Sequence, residues 1–379
     1  MNNFDEILNA TLNKDNSISV HVHKVYTNQY AKHFYLYCDD IRICELTIQD
    51  ARETGHHFHY VLTNVPSLTI GAEYKVYDDR YLCCYLNMSV LLRNDRICSL
   101  YKSDDVMGAH FHKYYTTFRL FSPLASSAYC VYIKDGKENI VTLEKNTDTG
   151  VFQGRASGDL GKCQYYFLVR INGQLTIAND PYCKAVTSQS SVGVIVDPRE
   201  VVIDLNESYL PKLSSPCDCI IYECSIRDMT SQNGTSIIHK GKFLGLAQPS
   251  CKTRNNNPIG LDYLRYLGVT HVQLMPSFDF CTGCDVNEFE NYNWGYDPLY
   301  YNVPEGSYSS DSKDPYARII EMKKMVAALH KAGIRVIMDV VYNHVFNMES
   351  SCFEKVCPSY YFRFRDDGNL SNGSYCGNE

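Results

Sequence analysis

Three apolar stretches in the 379-residue chain run straight into polar side chains able to do chemistry. "DCIIYECSIRDMT" delivers Arg227 and Asp228, "VTHVQLMPSFDF" delivers Asp279, and "IRVIMDVVYNHVF" delivers Asp339, Asn343 and His344. A continuous apolar run of strand length reads as a buried parallel strand, and α/β enzymes gather their reactive groups at the carboxyl ends of such strands. A single Asp or His there is ordinarily a cap or a satisfied core group. Agreement between consecutive strand ends points instead to an assembled site. The loop before the third run, "YNWGYDPLYYNVPEGSY", is dense in rings and in side chains that hydrogen-bond both ways. Trp294 or Tyr296 could cover the C–H face of a pyranose, with Asp297 and His344 holding its hydroxyls. The competing reading is a packed loop over the rim of the fold.

The elements that position these groups follow from rhythm. After about residue 205 strand and helix alternate. "GLDYLRYLG" (260–268) has Leu261, Leu264 and Leu267 at helical spacing, closed by Gly268. "DPYARIIEMKKMVAALHKAG" (314–333) is the clearest helix, with Asp314 as N-cap, Pro315 at the first helical position and Gly333 to end it. Ile319, Met322, Val326 and Leu329 place apolar groups on one face of that helix, for packing on a sheet. Such alternation predicts a parallel sheet, doubly wound or a (β/α)8 barrel. No glycine-rich phosphate loop follows any of the strands, which lowers a nucleotide-binding reading. Residues 1–107 read as an all-β domain in short alternating pieces such as "SISVHVHKVY". Residues 108–204 read as a β-sandwich of strands between Gly, Asp and Asn turns. Their last part, from "NDPYCKAV" to "VDPREVVIDLNESYLP", reads as a linker.

Composition narrows the class. A hydrophobic share of 45% and a charged share of 21% suit a soluble globular chain. Net charge is −7, with no basic cluster, so the expected partner is neutral or small, with no nucleic acid and no membrane. The start "MNNFDEILNATLNKDN" lacks an apolar run long enough for a secretory signal, and no stretch has the length of a membrane span. The 17 cysteines are therefore expected as reduced thiols in the cytoplasm, with Cys217, Cys219 and Cys224 along the first strand. "CTGC" (281–284) has metal or redox spacing but no second pair at zinc-ribbon distance. The 31 tyrosines could stack on sugars, but they also fill β-sheet faces.

Taken together, "YNWGYDPLYYNVPEGSY" and "DVVYNHV" closely resemble the type I pullulanases of the α-amylase superfamily, glycoside hydrolase family thirteen. "IIYECSIRDMT", "GKFLGL" and "YLGVTHVQLMP" follow the same pattern. "TTFRLFSPLASSA" and "GDLGKCQYYFLVRINGQ" followed by "DPYCKAV" resemble the starch-binding-type, immunoglobulin-like sandwich that precedes the barrel. The resemblance implies two N-terminal β-domains followed by the first part of a (β/α)8 TIM barrel over 205–379. It implies debranching of α-1,6-glucosidic bonds in pullulan, glycogen and limit dextrins, with an α-glucan as partner. Tyr296 would stack on the glucose at subsite minus one, Asp339 would shape that subsite and His344 would hydrogen-bond the same sugar. Trp294, Asp297 and Asn343 complete the expected substrate-binding set. Asn343 matches a position that serves calcium in related amylases, but no cofactor or metal is assigned.

Retaining hydrolysis needs two carboxyl groups roughly 5 Å apart. In the family they follow the third strand, so no catalytic residue is expected within these 379 residues, and the chain as given is expected to be inactive alone. "YFRFRDDG" mimics the nucleophile motif at Asp366, but it follows "FEKVCPSYY" with no intervening helix and is read as loop. With its strands unpaired at the edge, the third domain is expected to be poorly stable unless completed. The alternatives are another member of the superfamily such as isoamylase, a non-catalytic α-glucan-binding protein with a vestigial barrel, and a zinc or redox protein built on "CTGC".

Overall fold

The computed structural model describes residues 8–94, 99–281, 292–365 and 368–379. Asp366 and residues 282–284 of "CTGC" lie outside the described residues.

Seven strands open the chain: β1 (Leu8–Leu12), β2 (Ile18–His23), β3 (Phe34–Cys38), β4 (Ile41–Thr54), β5 (His57–Thr63), β6 (Tyr74–Asp78) and β7 (Cys83–Asn87). They close in the order β1-β2-β5-β4-β3-β6-β7, with β7 returning parallel onto β1. Closure follows from strict alternation. Ile18, Val20 and Val22 point inward from β2, and Phe58, Tyr60 and Leu62 from β5, all buried, while the residues between them face out. Tyr60 shows how part of the tyrosine excess is spent. Its ring is in the core, and its hydroxyl accepts the N–H of Ala31 at 2.8 Å.

The next strands are β8 (Gly108–His112), β9 (Tyr115–Phe121), β10 (Ser127–Lys134), β11 (Lys137–Asn146), β12 (Val151–Ser157), β13 (Gln164–Ile171), β14 (Gln174–Ala178) and β15 (Gly193–Val194). The long β11 pairs with β10 through residues 137–143 and with β12 through 144–146. It passes in this way from one layer to the other. The layers meet face to face, with the rings of Phe118 on β9 and Tyr165 on β13 5.7 Å apart. One apolar core joins barrel and sandwich, and Val356 and Cys357 from far along the chain complete it.

The stretch after β14 is not a flexible linker, contrary to its composition. Val201 is buried against Tyr316, whose hydroxyl donates to Ile195 O (2.8 Å) and accepts from Asp197 N–H (2.6 Å). Lys323 and His330 bind the carbonyls of Val201 and Leu205, each at 2.8 Å. The polar content of this strap meets partners on the helix beneath it, which a local reading cannot see.

The remaining strands are β16 (Ile221–Cys224), β17 (His271–Leu274), β18 (Phe278–Phe280), β19 (Pro298–Pro304) and β20 (Arg335–Met338). Strands β16, β17 and β20 form a parallel sheet in that order, and β18 with β19 forms a hairpin. The Leu261–Leu267 and Ala317–Lys331 helices lie in the crossovers. The longer helix starts later than Asp314 and Pro315 suggest. Asp314 closes a preceding turn instead, accepting from Tyr316 N–H at 2.9 Å and Ala317 N–H at 3.1 Å. Leu329 and Met325 face the sheet, whereas Ile319 turns to the Val201 cluster. Gly268 ends the shorter helix at φ +73°, the left-handed cap its position predicts.

The outer strands of this sheet are less buried than their sequences imply. Ile221 is 54% exposed and Met338 43%, because among the described residues β16 and β20 have a strand on one side only. Of the cysteines assigned to the first strand, only Cys224 lies on it and is buried; Cys217 is exposed in the preceding turn. The short Cys352–Val356 helix docks on the sandwich, where Ser122 Oγ donates to Val356 O at 2.6 Å.

Candidate functional site

The parallel strands bring their carboxyl ends together under the 292–298 loop. Asp339 follows β20 directly, its N–H still bonded to Leu274 O of β17 at 3.1 Å. Tyr296 reaches it from the loop, donating its hydroxyl to Asp339 Oδ2 at 2.9 Å. Burial, and then this carboxylate, push the Tyr296 phenol up to about 12, so it stays protonated as a donor. His344 holds the same loop from beneath. Its Nε2 lies 2.7 Å from Tyr296 O, and since a carbonyl only accepts, Nε2 carries the proton. Its Nδ1 is buried and, among the described residues, makes no hydrogen bond. His344 O in turn accepts from Tyr301 Oη at 2.7 Å.

Gly295 makes this loop possible. It sits at φ +89°, and a Cβ there would lie 2.9 Å from both Cβ and O of Pro276. The two residues beside it diverge: Tyr296 turns toward Asp339, and Trp294 stands 60% exposed at the mouth. Tyr292 reaches across to the first strand end, donating to Asp228 Oδ2 at 2.7 Å, with Arg227 5.3 Å from its ring centre.

Beneath the loop, the β18–β19 hairpin is fixed by a buried ionic cluster. Arg318, on the long helix, donates from Nη1 to Asp279 Oδ1 at 2.8 Å and to Pro304 O at 3.2 Å. Ser190, from the strap, donates to the same Asp279 oxygen at 3.0 Å. Glu305 accepts the N–H groups of Phe280 (3.0 Å) and Ser307 (2.6 Å). Burial first, and then the neighbouring Glu305, raise the Asp279 carboxyl to about 7, while Arg318 pulls the other way. Asp279 thus belongs to the framework under the loop, not to the open strand ends.

Of the residues singled out in the sequence, Tyr296, Asp339 and His344 come together by direct hydrogen bonds. Trp294 flanks them in the open. Asp297 is engaged within its own loop, accepting from Asn293 Nδ2 at 3.1 Å. Asn343 is exposed beside the cluster. Sequence reading missed Tyr292 and Tyr301 as linking groups and Arg318 as their support. The two tyrosines were in view within the aromatic loop. An arginine on the buried face of a helix gives no local signal for the carboxylate it will meet.

The arrangement sets an aromatic ring beside a carboxylate, with an exposed indole two residues away. Among the described residues no group of three or more His, Cys, Asp or Glu is placed to hold a metal.

Residues 9–93 match the family described as "Pullulanase N1-terminal domain". Pullulanase from Bacillus subtilis strain 168 is 33% identical over 334 residues, 88% of this chain and 46% of that protein. The crystal structure of pullulanase from Anoxybacillus sp. LM18-11 superposes with a TM-score of 0.87 at 34% identity, over 98% of this chain and 53% of that one. That of type I pullulanase from Bacillus subtilis strain 168 complexed with maltose gives 0.87 at 31% identity, over 100% and 52%. The chain therefore spans about half the length of the relatives it matches. These likenesses are to pullulanases, in sequence and in fold. Within that likeness the chain matches the N-terminal half of the type I pullulanases.

Proposed function

We propose that this chain contributes the N-terminal part of a debranching enzyme that hydrolyses α-1,6-glucosidic bonds in pullulan, glycogen and limit dextrins. In this reading residues 1–107 and 108–204 are β-domains, the second an immunoglobulin-like starch-binding module. Residues 205–379 begin a (β/α)8 barrel. Its first strand ends hold the sugar: Tyr296 stacks on a glucose ring, Asp339 accepts from its hydroxyls, His344 fixes the loop and Trp294 covers the neighbouring unit. Asp297 shapes the loop from within, and Asn343 edges the same cleft. The observation that carries the proposal is the Tyr296–Asp339 bond of 2.9 Å, locked by His344 on the Tyr296 carbonyl. One relative, pullulanase from Anoxybacillus sp. LM18-11, was solved with maltotriose and with maltotetraose, which favours an α-glucan as the ligand class. The cytoplasm is the compartment that suits its many free thiols.

Hydrolysis needs a nucleophile and an acid/base carboxyl on either side of the bond. Asp339 is tied to Tyr296 as the acceptor of its hydroxyl, and in this reading the 379 residues bind without cleaving. Incubation with pullulan tests this: bound glucan with no new reducing ends supports it, and released maltotriose overturns it. A non-catalytic glucan-binding protein gives the same result, but its binding would survive Tyr296→Ala.

A further inference from the structure

The outer wall of the N-terminal barrel carries a feature that the glucan reading does not use. Two His-x-His repeats, His21-Val22-His23 on β2 and His57-Phe58-His59 on β5, lie on adjacent antiparallel strands. The register pairs them directly, His21 opposite His59 and His23 opposite His57. Because Val22 and Phe58 point into the core, all four imidazoles lie on the opposite face of the strands, where His59 is itself buried. Ring centres are 4.5 Å apart for His21 and His59, 4.7 Å for His23 and His57, and 6.3 Å for the His21–His57 diagonal. Three imidazoles around one tetrahedral zinc, each with a metal–nitrogen bond near 2.0 Å, put their ring centres roughly 5 Å apart. The His21–His59 pair stands near that spacing, and His57 lies wider on the diagonal, so that its ring would have to move inward to join them.

The hydrogen bonds select which rings serve. His23 Nδ1 already accepts the N–H of Val25 at 3.1 Å, so this ring is committed to its turn. His59 Nδ1 meets Arg52 Nε at 3.4 Å, a long contact that a stronger ligand would displace. His21 and His57 make no such bond in the array, and Asn9 of β1 lies opposite His21. Asp50 and Arg52 approach His59 from β4, one of each charge.

We propose that His21, His57 and His59 form a three-imidazole site for a borderline divalent transition-metal ion of the zinc class on the outer wall of the barrel. As the side chains stand, no three such groups are already in ligating geometry, so binding requires the rings to turn about χ2, each bringing one nitrogen to a common point. A three-nitrogen set leaves a fourth position for water. Imidazole suits Zn²⁺, Ni²⁺ and Cu²⁺ rather than Mg²⁺ or Ca²⁺.

The test is equilibrium dialysis of the chelator-stripped full chain against Zn²⁺ at pH 7.5, with Co²⁺ substitution read by absorption. The proposal expects one equivalent whose cobalt spectrum is tetrahedral and lacks a thiolate charge-transfer band. His21→Asn and His57→Asn should each raise its Kd at least about tenfold, while Cys217→Ser leaves it unchanged. Arg52→Gln, removing the nearby cation, should tighten it. Melting temperatures without metal check that the variants fold, as outward-facing substitutions should allow. No bound equivalent, a thiolate band, or binding indifferent to both histidine changes would overturn the site.

Discussion

Replacing Arg318 by Met tests whether the loop that carries Tyr296 rests on the buried ionic cluster. Arg318 is fully buried, and its Nη1 spans Asp279 and the Pro304 carbonyl. Room for the guanidinium depends on Gly306, where a Cβ would sit 2.6 Å from Nη2. Methionine fills much of the volume but leaves Asp279 and Glu305 together without a cation. Breaking a buried pair from one side costs about 3–5 kcal/mol, far more than the roughly 0–1 kcal/mol of a surface pair. Trp294 is the only tryptophan in the sequence, so its emission follows unfolding of this region alone. With a urea slope of roughly 2 kcal/mol per molar, the Trp294 midpoint should fall by about 1.5–2.5 M. Asp279→Asn strands the arginine instead, and the double variant should cost well under the sum of the two. A midpoint shift below about 0.3 M, or additivity within about 0.5 kcal/mol, would refute the idea that the cluster holds the hairpin.

Other outcomes follow from the same contacts. Gly295→Ala forces a side chain into left-handed backbone against Pro276 and should cost at least about 1–2 kcal/mol in the Trp294 transition. Tyr296→Phe keeps the ring but removes its bond to Asp339; glucan affinity measured by calorimetry should fall roughly two- to tenfold, by about 0.5–1.5 kcal/mol. Asp180 is buried beneath Tyr165, whose hydroxyl donates to it at 2.6 Å, and burial raises its carboxyl to about 6. A raised folded value means that its stabilising share is full below the unfolded value and is lost as pH climbs through about 6. Relative to Asp180→Asn, the wild-type urea midpoint by circular dichroism should therefore decline between about pH 4.5 and pH 7.5.

Sequence and structure agree where information is local. Alternation in "SISVHVHKVY" carried the all-β reading of the first domain, and leucine spacing with Gly268 located the shorter crossover helix. The strand ends and the aromatic loop announced Tyr296, Asp339 and His344 before their contacts were visible. What stayed hidden depends on distant partners. The polar strap around Asp197 reads as linker until Tyr316 and Lys323 appear beneath it. Asp279 reads as an open strand-end carboxylate until Arg318, 39 residues on, claims it. The 352–356 helix reads as loop because its apolar residues answer to the sandwich core, not to their neighbours in sequence. Closure of β7 onto β1 was likewise invisible, since pairing across the whole domain leaves no mark on either strand alone.

The most direct test of a glucan site at these strand ends is titration of the native chain with maltotetraose while following Trp294 emission. The indole is exposed, two residues from Tyr296, and no other tryptophan competes with its signal. A saturable change in emission that disappears in Tyr296→Ala is the predicted result. Emission unmoved by millimolar glucan, or a response untouched by that substitution, would contradict the account.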